Sequence, residues 1–260
     1  MYFDSHAHYY DARFDTECTE GVYALLDSLF RSDVSGVVNV GTNPETSHKA
    51  LAMARRYPQM YAAAGLHPSD AQEEKNVDKA LAEIEAMFLS GEKKLVALGE
   101  IGLDYHYPET DKPLQAYAMR KQMEMAERLS VPVIIHDREA HGDVFDIVSE
   151  FPRVRGVFHS FSGSLEMATD LVRRGYMISF SGTVTFTNAK KVAAVAAALP
   201  KDRVLIETDC PYLAPHPLRG TMNHSGNLRY TNAAIASLWG VTETEAARIT
   251  EENAKRFFGI

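Results

Sequence analysis

The chain has 260 residues, of which 45% are hydrophobic and 24% charged, a balance typical of an ordinary globular protein. This length suits one α/β barrel, and it allows a full core to form without disulfides or a structural metal. The formal net charge is −8, and the Lys and Arg residues are scattered along the chain, without the basic run expected of a protein that coats duplex nucleic acid. A nucleic-acid substrate would therefore have to be held locally, by metals and a few side chains.

Cysteine content and hydropathy predict the compartment. The two cysteines, Cys18 and Cys210, form no disulfide framework and fit a reducing environment. Residues 1–6 include no charged n-region and no long apolar stretch, so no signal peptide is expected. The apolar runs are shorter than the roughly 20 residues that span a bilayer. We therefore expect a cytoplasmic protein without a membrane partner.

Strand-like runs alternate along the chain with segments whose apolar residues recur at helical spacing. The predicted strands are residues 1–3, 36–40, 60–66, 94–101, 131–135, 155–159, 177–181 and 203–207. The predicted helices are residues 20–32, 45–57, 77–89, 113–129, 141–150, 165–174, 189–198, 231–239 and 243–257.

This alternation implies parallel strands joined by right-handed crossovers. Eight such units predict a TIM-type (β/α)8 barrel that forms a single domain over residues 1–260. A doubly wound open sheet is the alternative. The absence of a Gly-x-Gly-x-x-Gly sequence makes that alternative weaker.

Polar residues that bind metals follow six of the eight predicted strands. Parallel barrels place their active sites at the C-terminal ends of the strands, which is where these residues fall. They are His6 and His8, His67, Glu100, His136, His159 and Asp209. His6 and His8 are two positions apart, so on a strand both side chains point to the same face.

Each of these residues has a simpler interpretation when it is considered alone. A lone histidine after a buried strand can be a ligand or a core residue bonded to a carbonyl. A buried carboxylate such as Glu100 or Asp209 needs a partner, which can be an Arg, a Lys or a metal. Four histidines and two carboxylates on one rim favour a metal centre, with two cations sharing Glu100. Four further histidines are interpreted as surface residues: His48, His106, His141 and His224.

Ordered motifs along the whole chain resemble the TatD-like metal-dependent deoxyribonuclease family of the amidohydrolase superfamily. The first are Asp4-Ser5-His6-Ala7-His8, Gly65-Leu66-His67-Pro68, Gly99-Glu100-Ile101-Gly102-Leu103-Asp104-Tyr105 and Ile135-His136. The later ones are His159-Ser160-Phe161-Ser162-Gly163, Glu207-Thr208-Asp209-Cys210-Pro211-Tyr212-Leu213-Ala214-Pro215 and Arg219-Gly220 with Asn223.

The resemblance implies a role for each site residue. His6 and His8 would hold one divalent metal with help from Asp209, His136 and His159 would hold the second, and Glu100 would bridge them. His67 would contact the substrate phosphate, and Arg138 and Arg219 would assist it. The resemblance implies Mg-dependent activity, whereas an imidazole-rich centre also suits Mn or Zn.

The implied activity is that of a deoxyribonuclease of the 3'–5' exonuclease type. A hydroxide activated by the two metals would attack the phosphodiester, and Asp209 would accept its proton. The expected partners are nucleic-acid ends or short oligonucleotides. One alternative is a two-metal hydrolase of a lactone, amide or phosphotriester, because a fold does not determine a substrate. A second alternative is a non-catalytic metal-binding barrel.

The chain departs from the family pattern at two places that are expected at the mouth of the barrel. Asp137 follows His136 where the family commonly has Ser or Cys. His224-Ser225 follows Asn223 where Glu-Pro or Ser-Pro is often found. Both departures leave the metal set complete and bear on substrate preference.

Overall fold

A computed structural model describes all 260 residues, and its eight strands pair side by side in chain order. The strands are β1 (Tyr2–Ala7), β2 (Val34–Val40), β3 (Met60–Ala64), β4 (Leu95–Asp104), β5 (Val133–Arg138), β6 (Gly156–Phe158), β7 (Met177–Phe180) and β8 (Val204–Ile206). Every neighbouring pair is parallel.

Helices connect successive strands, and two more follow β8. They are α1 (Arg13–Glu17), α2 (Val22–Arg31), α3 (Pro44–Ala54), α4 (Pro68–Glu73), α5 (Val77–Leu89), α6 (Lys112–Leu129), α7 (His141–Glu150), α8 (Leu165–Arg173), α9 (Lys190–Ala198), α10 (Leu228–Trp239) and α11 (Glu243–Phe258). None of these helices has the combined length and apolarity that a membrane span requires.

The sheet closes where β1 meets the chain just beyond β8. Ala7 and Cys210 form a parallel bridge there. The Asp209 amide donates to the His6 carbonyl at 2.9 Å, and the His8 amide donates to the Cys210 carbonyl at 2.8 Å. The predicted (β/α)8 barrel is therefore confirmed, and the open-sheet alternative is wrong.

Strand ends differ from the prediction wherever polar residues continue a strand. β1 extends to Ala7 and β5 to Arg138, so His6 and His136 lie within strands and not after them, and β4 continues beyond Glu100 to Asp104. The backbone hydrogen bonds of these strands continue past the last apolar residue. The polar side chains there point inward and are buried at the C-terminal mouth of the barrel, so a search for apolar residues ends the strand too early. The prediction also missed α1 and α4, which are too short to show a helical period.

The opposite, N-terminal end of the barrel is closed by apolar side chains. Every strand contributes to a buried cluster that also includes Phe258 of α11. The Phe258 ring stacks on Phe3 of β1 with centroids 6.4 Å apart. A substrate can therefore enter the barrel only from the end where the polar residues lie.

Gly102 allows β4 and β5 to approach each other closely just beyond Glu100. Its φ is +149°, and a Cβ atom at this position would lie 1.9 Å from the His136 carbonyl oxygen. Only glycine avoids that collision. The close approach places Glu100 and His136 side by side.

Candidate metal centre

The structure brings the six predicted ligands together at the C-terminal mouth of the barrel. The His6 and His8 Nε2 atoms are 3.1 Å apart. Glu100 Oε2 lies 3.3 Å from His6 Nε2, and Asp209 Oδ1 lies 3.3 Å from His8 Nε2. These donors form the His6–His8 subsite, which consists of His6, His8, Asp209 and Glu100 Oε2.

The other oxygen of Glu100 faces a second group of donors. Glu100 Oε1 lies 2.8 Å from both His136 Nδ1 and His159 Nε2. These two nitrogen atoms are 3.1 Å apart. These donors form the His136–His159 subsite, which consists of His136, His159 and Glu100 Oε1.

The spacing of the donors fits two metal ions. Ligands about 2.0–2.2 Å from one ion lie roughly 3.0–3.5 Å from each other in tetrahedral or octahedral geometry. The distances between donors within each subsite match that range to within a few tenths of an ångström. Because one carboxylate oxygen faces each subsite, Glu100 is placed to bridge two ions.

The outward nitrogen atoms of three histidines are held by acceptors. His8 Nδ1 lies 2.7 Å from the Val40 carbonyl oxygen. His136 Nε2 lies 3.2 Å from Asp104 Oδ2, and His159 Nδ1 lies 3.2 Å from Glu207 Oε1. Such contacts place the proton on the outer nitrogen and leave the inner one free to ligate.

Asp104 and Glu207 contact two of the candidate ligands, and the sequence analysis predicted neither contact. Both occur inside the motifs quoted above, but no role was predicted for them. Asp104 is 3% exposed and Glu207 is fully buried. A signal was present, since a buried carboxylate at a strand end requires a partner.

Charge is concentrated at Glu100 and Asp209. Burial opposes ionisation of Glu100, but the nearby imidazoles of His159 and His6 hold its pKa well below its usual value. Burial likewise opposes ionisation of Asp209, yet a hydrogen bond from His8 lowers its pKa. Both side chains are therefore carboxylates at neutral pH.

The histidine pKa values differ between the members of the centre. Burial lowers the pKa of His6. Burial also opposes the charged forms of His8, His136 and His159, but hydrogen bonds and the charges of neighbouring carboxylates raise the pKa of all three. These three imidazoles therefore hold a proton more tightly than a free imidazole does, and a metal ion must compete with that proton.

His67 lies beside the centre as a neutral hydrogen-bond donor. It caps α4, where its Nδ1 accepts from the Ser69 amide at 3.2 Å. Burial lowers its pKa to about 3, so the ring carries one proton, which must be on Nε2. That Nε2 atom lies 3.7 Å from Glu100 Oε1 and faces the centre.

A cavity of about 500 Å³ opens over the two subsites. Beyond the centre and His67, its walls consist of Tyr10, Asp11, Ala12, Thr42, Asn43, Thr46, Lys49, Asp70 and Tyr212. A larger groove of about 900 Å³ adjoins it at Asn43, Lys49 and Asp70 but contains none of the clustered donors. We therefore place the chemistry in the smaller cavity.

The two predicted arginines lie outside the walls of this cavity. The Arg138 guanidinium is 3.9 Å from Asp104, the partner of His136, so it borders the His136–His159 subsite. Arg219 is exposed, and its guanidinium lies 4.5 Å from the centroid of the Phe186 ring. Neither side chain reaches the metal donors directly.

The backbone at two positions of the centre has a strained conformation. Asp209 has a φ of 57°, and Ser160, directly after His159, has a φ of 40°. Left-handed conformations of residues other than glycine cost about 1–3 kcal/mol and cluster at functional sites. The hydrogen bond from the Asp209 amide to the His6 carbonyl stabilises the turn that directs Asp209 inward.

Two of the four histidines interpreted as surface residues are partly buried. His48 and His106 are exposed, as predicted. His224 is partly buried because the loop after β8 folds back, and its Nδ1 accepts from the Gly226 amide at 3.2 Å. His141 is also partly buried and is paired with Asp137 at 2.8 Å. The surface interpretation was wrong for His224, whereas the His141 side chain is 37% exposed and agrees with it.

The fold and the centre define the class of protein as a (β/α)8 barrel with a metal-ready site of histidines and carboxylates. The family model "TatD related DNase" matches residues 3–259. The chain therefore belongs to the TatD family of metal-dependent hydrolases.

Individual relatives agree with that assignment. YabD of Bacillus subtilis strain 168, an uncharacterized metal-dependent hydrolase, is 41% identical, with 100% of both chains covered. The metal-dependent hydrolase TatD of Mycobacterium tuberculosis is 34% identical over 92% of this chain and 91% of its own. The crystal structure of the TatD homologue YjjV from Escherichia coli superposes with a TM-score of 0.89 at 30% identity, covering 100% of this chain and 98% of that one.

Proposed function

We propose that this chain is a deoxyribonuclease that removes nucleotides from the 3' end of a strand with two divalent ions. The observation that carries the proposal is the division of donors by Glu100, whose two oxygens face separate subsites at the base of one cavity. Membership of the TatD-related DNase family supports the phosphodiester as substrate.

The two subsites would each hold one ion, and Mg, Mn and Zn are the ions to be tested. Imidazole ligands favour Mn or Zn over Mg, which prefers oxygen. When bound, a pair of divalent ions supplies an activated water nucleophile at neutral pH and offsets the negative charge of the phosphate. Without bound cations, the carboxylates Glu100 and Asp209 would repel a phosphodiester.

The side chains around the ions have separate tasks. Asp209 directs Oδ1 toward His6 and His8, which leaves Oδ2 to accept the proton of the attacking water. His67 directs its Nε2–H toward the centre and would donate it to a phosphate oxygen. Because His67 is neutral, it acts as a hydrogen-bond donor and adds no positive charge.

The dimensions of the cavity support action on ends. A volume of about 500 Å³ is the size that encloses a small ligand, so it suits a terminal nucleotide. Outside the cavity, Arg138 beside Asp104 and the exposed Arg219 are placed to contact phosphates further along the strand. The absence of a broad excess of positive charge in the chain agrees with such local contacts.

We also propose a cytoplasmic location, which agrees with two free cysteines.

The test uses metal-free protein reloaded with Mg²⁺, Mn²⁺ or Zn²⁺. Single-stranded oligonucleotides labelled at either end are digested, and the products are separated by size. Digestion from the 3' end should shorten the 5'-labelled strand in single-nucleotide steps and release the 3' label at once as a mononucleotide. Circular single strands should remain intact.

The matched control is Glu100→Gln, which keeps the size of the side chain and removes its charge. Activity that survives in this variant would come from a contaminating nuclease. A lactone, an amide and a phosphotriester are assayed in parallel with the same metals. Turnover of one of these together with no action on any oligonucleotide would refute the proposal and favour a different hydrolase.

A further inference from the structure

Two buried polar atoms beside the metal centre lack hydrogen-bond partners. One is Nδ1 of His6, and the other is Oε2 of Glu207. Both residues are completely buried. Leaving a buried donor and a buried acceptor unpaired is costly, so a second role for Glu207 would explain both atoms.

The rings of His6 and His159 are arranged so that one carboxylate can accept a hydrogen bond from each of them. They stack with centroids 4.1 Å apart and planes 14° apart, and both direct Nε2 toward Glu100. Donor atoms of His6, His159 and Glu207 all lie within 4.8 Å of one another. Glu207 Oε1 is already engaged, at 3.2 Å from His159 Nδ1 and 2.8 Å from the Ser160 amide.

We propose that Glu207 is a positioning residue for both subsites: Oε1 orients His159, and Oε2, which is unpaired in this structure, would accept a hydrogen bond from His6 Nδ1 when the ions are bound. The inference rests on the two-ion centre proposed above. Each imidazole ligates through Nε2 only when its proton is on Nδ1, and Glu207 is the acceptor that keeps it there. Because one carboxylate serves a ligand of each ion, the orientations of His6 and His159 depend on each other.

The three residues do not form a third metal site. His6 and His159 already direct Nε2 into the two subsites, so their Nδ1 atoms must keep protons. A proton-bearing nitrogen donates a hydrogen bond and cannot ligate a metal. Glu207 therefore accepts from the two rings and binds no ion of its own.

The decisive variant is Glu207→Gln, which has one oxygen and one amide nitrogen. The Ser160 backbone amide donates a hydrogen bond, so the oxygen of the new side chain must stay opposite it. The side-chain nitrogen must then face His6, and a nitrogen of this kind cannot accept the hydrogen bond of His6 Nδ1. The zinc affinity of the His6–His8 subsite should therefore fall about 10–100-fold. The matched control, Asp104→Asn, alters the partner of His136 and should weaken only the His136–His159 subsite.

Zinc occupancy is measured at each subsite separately. Crystals of the wild type and the two variants are soaked in graded Zn²⁺, and anomalous scattering gives the occupancy of each position. Melting of the metal-free proteins shows whether the fold persists. An unchanged His6–His8 occupancy in Glu207→Gln would overturn the role of Glu207 toward His6. Zinc at only one position in the wild type would overturn the proposed two-ion centre itself.

A second measurement on the wild type covers the case in which Glu207→Gln does not fold. Imidazole ¹⁵N spectra of the zinc-loaded protein report which ring nitrogen carries a proton and how fast it exchanges. A hydrogen bond to Glu207 should give His6 a protonated Nδ1 that exchanges slowly with solvent, as for His159. Rapid exchange at His6 alone would contradict the proposal.

Discussion

The two subsites that share Glu100 differ in how completely the chain surrounds them. Beside Glu100, the His6–His8 subsite has three donor side chains, and the His136–His159 subsite has two. The most exposed donor is similar in both subsites, 15% for Asp209 and 16% for His136, so the difference lies in the number of donor side chains and not in their exposure. Closed sites are typical of ions that are only held, and open positions are typical of ions that meet substrate.

The surrounding groups show the same asymmetry. The His67 ring contacts the His136 ring with centroids 4.5 Å apart. Arg138 borders the same subsite through Asp104. Both of these predicted phosphate contacts therefore lie on the open side. We expect the substrate phosphate to enter over the His136–His159 subsite, while the His6–His8 subsite holds its ion more tightly.

The largest effect is expected from Glu100, the one residue common to both subsites. Glu100→Gln should abolish stable binding of both ions, because the amide offers only one oxygen and no charge. Activity should fall by more than the roughly 10²–10⁴-fold that loss of one acid–base group costs. Elemental analysis after gel filtration measures the bound metal. Two retained ions would show that Glu100 does not bridge the subsites.

Asp209→Asn tests the His6–His8 subsite with a smaller expected effect. The amide oxygen can still ligate, but the side chain cannot accept a proton. Turnover should fall about 10²–10⁴-fold while the ion at His136 and His159 is retained. The melting temperature of the metal-free variant is measured alongside turnover. A metal-loaded variant with nearly full activity would rule out Asp209 as the proton acceptor.

The pH dependence of metal binding should separate the two subsites further. His136 and His159 both have raised pKa values, whereas in the other subsite the pKa of His8 is raised and that of His6 is lowered. A raised pKa means that a proton must leave before an ion binds. Affinity should therefore fall with decreasing pH at both subsites, and more steeply at His136–His159, where two ligands compete with protons, than at His6–His8, where one does.

Calorimetric titration with Zn²⁺ in buffers of different ionisation enthalpy counts the protons released. We expect zinc to release more protons at the His136–His159 subsite than at the His6–His8 subsite. Equal proton release at both subsites would contradict the proposed difference between the histidine pKa values of the two subsites.

The smallest effect concerns the pair of Asp137, which follows His136 in β5, and His141. The hydrogen bond that His141 donates to Asp137 raises the pKa of His141. The stabilisation is therefore present below the unfolded pKa of about 6.5 and is lost as pH rises through the raised folded pKa. Asp137→Asn should lower the melting temperature by about 2 °C or less at low pH and have no effect at high pH.

Melting of the wild type and Asp137→Asn across the pH range checks this, with His141→Gln as the matched variant of the partner. A deficit that is the same at every pH would mean that Asp137 contributes by packing and not through the protonated His141.

Local patterns in the sequence determined the fold class and the metal donors of this protein. Strand and helix periods are properties of neighbouring residues, so eight strand–helix units could be read in order. The pair His6 and His8 shares a strand face because of its spacing alone. The other donors could be grouped because parallel strands all end at one edge of a barrel.

Only the tertiary structure decided how these residues work together. That Glu100 faces two subsites, and that Asp104 and Glu207 hold histidines of the second, depends on the register of one strand against another. The protonation of His67 likewise depends on burial and on the Ser69 amide. Hydrophobic periodicity does not encode register or burial of a polar atom. These contacts therefore could not be predicted before the strands were placed side by side.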